Sequence, residues 1–378
     1  MPDPRFLQVH FLTPYTAALL NRDDSGLAKR LPYGGAMRTR ISSQCLKRHW
    51  RIADDPHALD RIEGVERIEG KDAFRSRETI DRKVLDGLTA DETVLEPIRQ
   101  TYLTTIYGEN AKDKRKRQTL LLGAPEIAYL RKAAQDMIAK AAGDPGKAKE
   151  LAKAWGKTDR ANLKAMAEAT AMPAGLVGAL FGRMVTSDPD ANITAPVHVA
   201  HAFTVHEEED ESDYFTAVDD LARADETGAD TIQETELTSG LFYGYVVVDL
   251  PGLIGNLGGD RALAGKVLHN LIYLIAEVSP GAKLGSTAPY SRASLMLLEA
   301  GDRQPRSLAE AFRTPCKADT GAAIEALTSH LAALDDAYAT GEERRFAALS
   351  NHDLPGAARC NLADLATWAK GLPARLAA

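Results

Sequence analysis

The order of apolar runs and turn residues predicts an α+β fold: a small open sheet with helices on one face, interrupted by a helical lobe and by a shorter excursion. Three observations carry this. Residues 6–12 (FLQVHFL) have the apolar density and length of a buried strand. Residues 237–250 (LTSGLFYGYVVVDL) read as another, and the long stretch between the two is dominated by Ala, Lys, Glu and Arg in helical patterns. A core helix then follows over 263–278, apolar at positions 263, 267, 268, 271, 274, 275 and 278 and stopped by Pro280.

Taken in order, the first strand runs into turn chemistry at Pro14, at 21–26, and at Pro32, Gly34 and Gly35. A helix over 41–53 is opened by Ser42 and Ser43, whose hydroxyls can accept from the first free backbone N–H groups. Residues 54–181 form the helical lobe, with a break at 143–146. Segments 181–187 and 195–206 read as strands, 207–236 as an acidic, aromatic loop, 292–298 as a further strand, and the last seventy residues as three helices.

Composition narrows the function. The charge is −7 over 378 residues, yet residues 22–51 carry +6, leaving −13 for the rest. Residues 207–213 (EEEDESD) hold six acids in seven positions. A phosphate backbone responds to the local field and not to the net charge, so a basic strip on an acidic body suits nucleic acid, complementary faces between like subunits, or simply a solvated basic segment. The three cysteines, Cys45, Cys316 and Cys360, have no metal-ligand spacing. No apolar run spans a bilayer, and the first twelve residues lack the features of a signal peptide. The expectation is a cytoplasmic protein with no membrane partner.

The passage 34–51, GGAMRTRISSQCLKRHWR, is the most informative. On a helical wheel Gln44, Lys47, Arg48 and Arg51 fall within one arc of about 100°, with an apolar back. Arg38 and Arg40 alternate, so both point to one side of an extended strand. Ser42, Ser43 and the helix N-terminus add donors suited to a phosphate. The Gly34–Gly35 pair permits close backbone approach. Such groups hold a nucleic-acid backbone without reading its sequence.

These residues also carry a resemblance. LNRDD (20–24), then GG-x-x-R-x-R-I-S-S-Q-x-L-K-R (34–48), GRMVTS (182–187), AHAFTVH (200–206), DYFTAVDDL (213–221), SGLFYGY (239–245), NLGG (256–259) and PGAK (280–283) closely resemble the CasC family, backbone subunits of the type I-E CRISPR interference complex Cascade. The resemblance spans the chain. It implies a RAMP-type fold with an RRM-like (ferredoxin-like) palm, an inserted helical fingers lobe and a protruding β/loop thumb. The corresponding boundaries are palm 1–55, fingers 56–180, palm strands 181–206, thumb 207–238, palm 239–300 and C-terminal helices 301–378. It implies copies stacked helically along one guide RNA (crRNA), presenting bases for pairing with target DNA, alongside the other Cascade subunits CasA, CasB, CasD and CasE. By residue-for-residue carry-over, Arg22, Lys29, Arg38, Arg40, Ser42, Ser43, Gln44, Lys47 and Arg48 hold RNA phosphates and sugars. Arg183, Met184, Thr186 and Ser187 pack against splayed nucleotides, and Lys283 adds a backbone contact. Some relatives carry basic residues directly after the glycine pair, where Ala36 and Met37 stand here; the run 112–117 (KDKRKR) is a candidate replacement.

Neither cofactor nor metal is expected, and no catalytic residue. His198, His201 and His206 are expected to be structural, because no carboxylate or cysteine at ligand spacing completes a site. Asp23 and Asp24 are the one catalytic alternative: related RAMP subunits of type III complexes cleave RNA with an aspartate in the loop after the first strand. Beside Arg22, the same aspartates suit a loop-fixing or capping role. A protein-interaction scaffold whose basic strip meets an acidic thumb is the other alternative.

Overall fold

The computed structural model describes residues 3–169, 172–185, 191–217 and 231–377, in a mixed α+β arrangement. A long first strand, β1 (Phe6–Ala18), is followed by a hairpin, β2 (Arg30–Tyr33) and β3 (Ala36–Ile41), and by helix α1 (Ser43–Ile52). Then come β4 (Ala73–Ser76), α2 (Glu92–Tyr107), β5 (Leu120–Gly123), α3 (Ala124–Ala141), α4 (Pro145–Ala169) and α5 (Gly175–Phe181). Two short strands, β6 (Val197–Val199) and β7 (Ala202–Thr204), lead into a ribbon of β8 (Glu209–Ala217) and β9 (Thr231–Asp249). Helices α6 (Leu250–Asn256), α7 (Arg261–Glu277) and α8 (Leu284–Thr287) precede β10 (Leu295–Gly301). The chain closes with α9 (Thr320–Tyr338), β11 (Glu343–Ala348), β12 (Ala357–Arg359) and α10 (Leu362–Arg375). Two compact units result: Met1–Ala58 with His198–Leu250 and Gly265–Ala378, and Leu59–Val197 with Pro251–Ala264.

The first unit is built on one sheet, ordered β12-β11-β10-β1-β9-β7-β3-β2, with β6 and β8 also paired to β9. Strand β1 lies at its centre, antiparallel to β10 from Phe6↔Gly301 to Leu12↔Leu295 and to β9 from Phe6↔Asp249 to Tyr15↔Gly240. Among these elements β1, α1, β7, β9, α7 and β10 follow each other as strand–helix–strand–strand–helix–strand. Alternation sends successive β1 side chains to opposite faces. Leu12 joins Tyr243, Leu295, Leu297 and Phe346 under Leu308, Phe312 and the α9 residues Ile324, Leu327 and Leu331. Leu7, Val9 and Phe11 turn to the other face and are also buried. Opposite Phe11 the sheet places Gly244; a Cβ there would lie 2.0 Å from the Phe11 ring, so only glycine admits that ring.

The second unit packs Ile98, Tyr102 and Ile106 of α2 against Ile127 and Leu130 of α3 and against Leu120 and Leu122 of β5. Ala142 takes a left-handed conformation that ends α3, and α4 starts at Pro145, matching the break expected at 143–146.

Three expectations change. Where a loop was expected, the described residues of the acidic excursion pair as a two-stranded ribbon, in register from Glu209↔Ser239 to Ala217↔Thr231, and residues 218–230 lie outside the described residues. Its cross-strand pairing satisfies the backbone without an apolar face, so its strand character is invisible to an apolar-run criterion. The C-terminal region holds the three expected helical segments, a 3₁₀ turn at Ala309–Phe312 with α9 and α10, but adds an unexpected strand, because Glu343–Ala348 (ERRFAA) extends the sheet beside β10, from Leu295↔Ala348 to Ala300↔Glu343. Residues 183–185 form only an isolated bridge, Arg183↔Ile193, where a strand was expected.

Candidate nucleic-acid interface

The β2–β3 hairpin turns through Gly34 and Gly35, at φ +63° and +82°. A Cβ on Gly34 would sit 1.6 Å from the Arg313 carbonyl oxygen, so the close approach this glycine permits is to the protein's own backbone. Arg38 is fully buried. Its Nη1 donates to the carbonyls of Thr204 (2.9 Å) and His206 (3.2 Å), its Nη2 to those of Phe312 (2.9 Å) and Arg313 (3.3 Å), and its Nε to that of Tyr33 (3.3 Å). Arg38 is therefore a stitch between the hairpin, the end of β7 and residues 312–313, and its expected place on an outward basic face is corrected.

Helix α1 begins where β3 ends. Ser42 is its N-cap in extended conformation, and the hydroxyl accepts from the Cys45 N–H at 3.2 Å, an arrangement worth about 1 kcal/mol. The Ser42 N–H donates to Asn21 Oδ1 (2.9 Å), and the Ser43 N–H to His201 Nδ1 (3.0 Å). Ser42 and Ser43 are both buried, so they position the helix start and do not stand open to a ligand. The Ser43 and Cys45 amides, expected as phosphate donors, are engaged within the chain. Leu46 and Trp50 anchor the inner face of the helix. Gln44 and Arg48 are exposed on the outer face, and Lys47 is half-buried beside them.

Several cations converge at this helix start. The Arg40 N–H donates to the Lys29 carbonyl (2.7 Å), and the register pairs Arg40 with Phe203 and Ile41 with Ala202, placing His201 beside Ser43. The His201 imidazole is held below its ordinary range by burial first and then by Arg40, Lys29 and Lys47. Burial pushes the Cys45 thiol up to about 11, against the pull of Lys29 and Arg48. Lys29, Arg40, Lys47 and Arg48 thus share one neighbourhood. Arg22 is exposed in the adjoining loop, bridged through the backbone to Ala28.

Two further elements border this neighbourhood. The 280–283 turn is held against α1, with the Gly281 N–H directed to His49 Nε2 at 3.4 Å and the Ala282 N–H donating to the Leu19 carbonyl at 2.9 Å. Lys283 Nζ donates to Thr235 Oγ1 of the ribbon at 2.8 Å. At the ribbon base Arg30 Nε donates to Glu208 (2.5 Å), while its Nη2 reaches Glu236 (2.6 Å) and Asp210 (3.3 Å). Arg30 is thus the clamp of the acidic ribbon.

In the second unit Arg183 is buried, chelated by Glu126 at 2.5 and 2.7 Å and donating to the Ala191 carbonyl at 2.9 Å. That ion pair holds the segment from inside, which corrects the expectation that Arg183 packs against nucleotides. Met184, its neighbour, is 73% exposed; Thr186 and Ser187 lie outside the described residues. Within the 112–117 run, Arg117 is buried, paired with Asp81 at 2.6 Å, and Lys114 pairs with Glu78 at 2.8 Å.

Asp23 Oδ1 accepts from the Ser25 N–H (2.9 Å) and the Leu27 N–H (3.0 Å), the capping role weighed for it. His206 lies close to the ribbon-side backbone, with Nε2 accepting from the Leu241 N–H at 3.1 Å. Among the described residues no three His, Cys, Asp or Glu side chains gather as metal ligands, and no helix is long and apolar enough to cross a membrane. The sequence reading missed His201 and Asn21 as members of this site. LNRDD flagged the region of Asn21, but nothing local links His201 to Ser43, 158 positions away.

Residues 7–370 match the family model described as CT1975-like protein, Cas_CT1975. The chain belongs to the CT1975-like Cas family. Two solved structures share the fold of this family member. One, titled "CRISPR RNA-guided surveillance complex, pre-nicking", contains a chain that aligns at TM-score 0.75 and 24% identity, over 96% of this chain and 100% of that one. Another, titled "CRISPR RNA-guided surveillance complex", has a chain at TM-score 0.58 and 21% identity, over 96% and 99%. No curated protein matches.

Proposed function

We propose that this CT1975-like protein is a non-catalytic, crRNA-binding backbone subunit of a type I-E Cascade complex, repeated along the spacer and presenting bases to target DNA. The observation that carries the reading is the gathering of Lys29, Arg40, Lys47 and Arg48 around the start of α1, bordered by Lys283 and the acidic ribbon. Cations grouped on one face of an otherwise acidic chain form the electrostatic footprint of a nucleic-acid site. The strand–helix–strand–strand–helix–strand order, with β1 and β9 central, supports an RRM-like palm, and the paired β8–β9 ribbon supports reading the acidic segment as a thumb. The titles of the structures that share the fold support the CRISPR context. Neighbouring copies and the CasA, CasB, CasD and CasE subunits are the expected partners.

Binding should be sequence-tolerant and fall steeply with salt, because each phosphate neutralised releases counterions. The test is purification under gentle conditions, absorbance at 260 nm, and sequencing of any RNA carried along. Repeat-flanked spacer RNA is the expected result; nucleic-acid-free protein that binds no added single-stranded RNA at low salt would overturn the reading. The RNA-cleaving alternative loses ground because Asp23 spends an oxygen on its own loop. Cuts in complementary RNA under divalent metal, lost in an Asp23→Asn/Asp24→Asn double variant, would restore it.

A further inference from the structure

His201 is exposed beside the start of α1, yet its position is fixed by a backbone contact. Its Nδ1 accepts the Ser43 N–H at 3.0 Å, which requires the neutral tautomer with the proton on Nε2. The ring therefore carries one hydrogen-bond donor on the edge away from Ser43. The β3–β7 register sets the ring next to Arg40 and the helix start, Lys47 follows one turn along α1, and the Lys29 carbonyl is bonded to the Arg40 amide. Arg40 of the hairpin, Lys29 of the preceding loop and Lys47 of the helix are the charges that act on the ring. Burial first, and then these three charges, disfavour imidazolium, so the site favours the neutral donor form. A neutral N–H amid cations adds directionality that lysine, a rotating point charge, does not supply.

We propose that His201 is a phosphate-binding residue of this site, donating from Nε2 to the same ribose-phosphate strand that Lys29, Arg40 and Lys47 hold. The inference rests on the RNA-binding reading above, and it deepens that reading by adding a neutral, oriented donor to a set otherwise made of charges. It also gives the imidazole two tasks at once, with one nitrogen capping α1 and the other contacting the ligand.

The experiment measures affinity of the full chain for a short single-stranded RNA over a range of salt concentrations at pH 7.5. His201→Ala should weaken binding about tenfold, the scale of one hydrogen bond to a charged acceptor. It should leave the slope of log affinity against log salt unchanged, because a neutral group releases no counterion. His201→Gln, which keeps an acceptor for Ser43 and a donor for phosphate, should recover most of the loss. To separate phosphate contact from helix capping, the same change is made on a Ser43→Pro background. Proline is tolerated at the first helical position and has no N–H to cap, so a capping-only histidine would show no further loss there. Equal affinity of His201→Ala and the parent overturns the assignment, as does a penalty that vanishes with Ser43→Pro. If Ser43→Pro alone binds no RNA, failure of His201→Gln to recover affinity overturns it instead. Lys47→Ala in parallel keeps the two readings apart. Loss there with an unaffected His201→Ala removes the histidine alone, whereas unchanged binding in both removes the site.

Discussion

Arg38 and Arg48 stand ten positions apart in one basic passage, and the structure assigns them opposite duties that two assays can separate. In Arg38→Met the apolar stem is kept and the guanidinium removed, so the carbonyls of Tyr33, Thr204, His206, Phe312 and Arg313 lose their common donor. Leaving a buried acceptor unsatisfied costs about 1–3 kcal/mol; with partial relaxation across the group, a total of roughly 4 kcal/mol is expected. For a unit of this size that lowers the melting temperature by roughly 10 °C. The RNA salt slope, measured well below that transition, should not move. Arg48→Met should do the reverse: stability within about 0.5 kcal/mol of the parent, and a slope shallower by about 0.7, the value for one phosphate of a single strand. Calorimetry and a fluorescence-anisotropy salt titration report the two quantities. A stable Arg38→Met with a shallower slope would refute the reasoning, since it would place that guanidinium on the ligand.

Further outcomes follow from other contacts. His10 and Glu299 are fully buried partners: Nε2–H donates to Oε2 at 3.0 Å, while Nδ1 meets the Tyr243 hydroxyl at 2.9 Å. Burial holds the His10 pKa below its ordinary 6.5. The unfolded chain therefore takes up a proton that the folded one refuses, and stability should begin to fall as pH drops through 6.5. Burial raises the Glu299 pKa, but hydrogen bonds from His10 and Arg306 outweigh it and hold the carboxyl well below 4.5, so a second decline begins under that pH. His10→Gln should lessen the first decline, leaving the part that His201 contributes, and keep the second in thermal melts against pH. Gly34→Ala should destabilise by at least about 3 kcal/mol, combining left-handed strain with a backbone clash, whereas Gly35→Ala meets open space and should cost about 1 kcal/mol. Arg30→Ala releases Glu208, Asp210 and Glu236, and hydrogen exchange of the β8–β9 amides should quicken without acceleration at β1.

Strand β1, the sheet portion of β9, helix α7 and the capped start of α1 were legible because each advertises itself locally, by an apolar run, a 3.6 period or a cap. Arg38 was misread for a reason of the same kind. Alternation correctly puts it on one side with Arg40, but whether that side is open depends on residues 204–206 and 312–313, which no local pattern connects to it. Arg183 hides behind Glu126 in the same way. Strand β11 escaped because its inward Arg344 is matched by Glu299 on β10 and by Asp335 on α9, giving a charged sequence a buried position. His201 was invisible as a site member because its meaning lies in a hydrogen bond across the sheet.

Strand β9 is one uninterrupted extended segment of 19 residues, at about 3.3 Å per residue roughly 60 Å of backbone. Its first half is the outer rail of the ribbon and its second half is bonded to β1 along the middle of the sheet. Arm and fulcrum are therefore a single piece of chain, without a joint between them. A force applied to the ribbon travels along covalent bonds into the most deeply bonded strand of the unit, and whatever aligns the sheet also aims the arm.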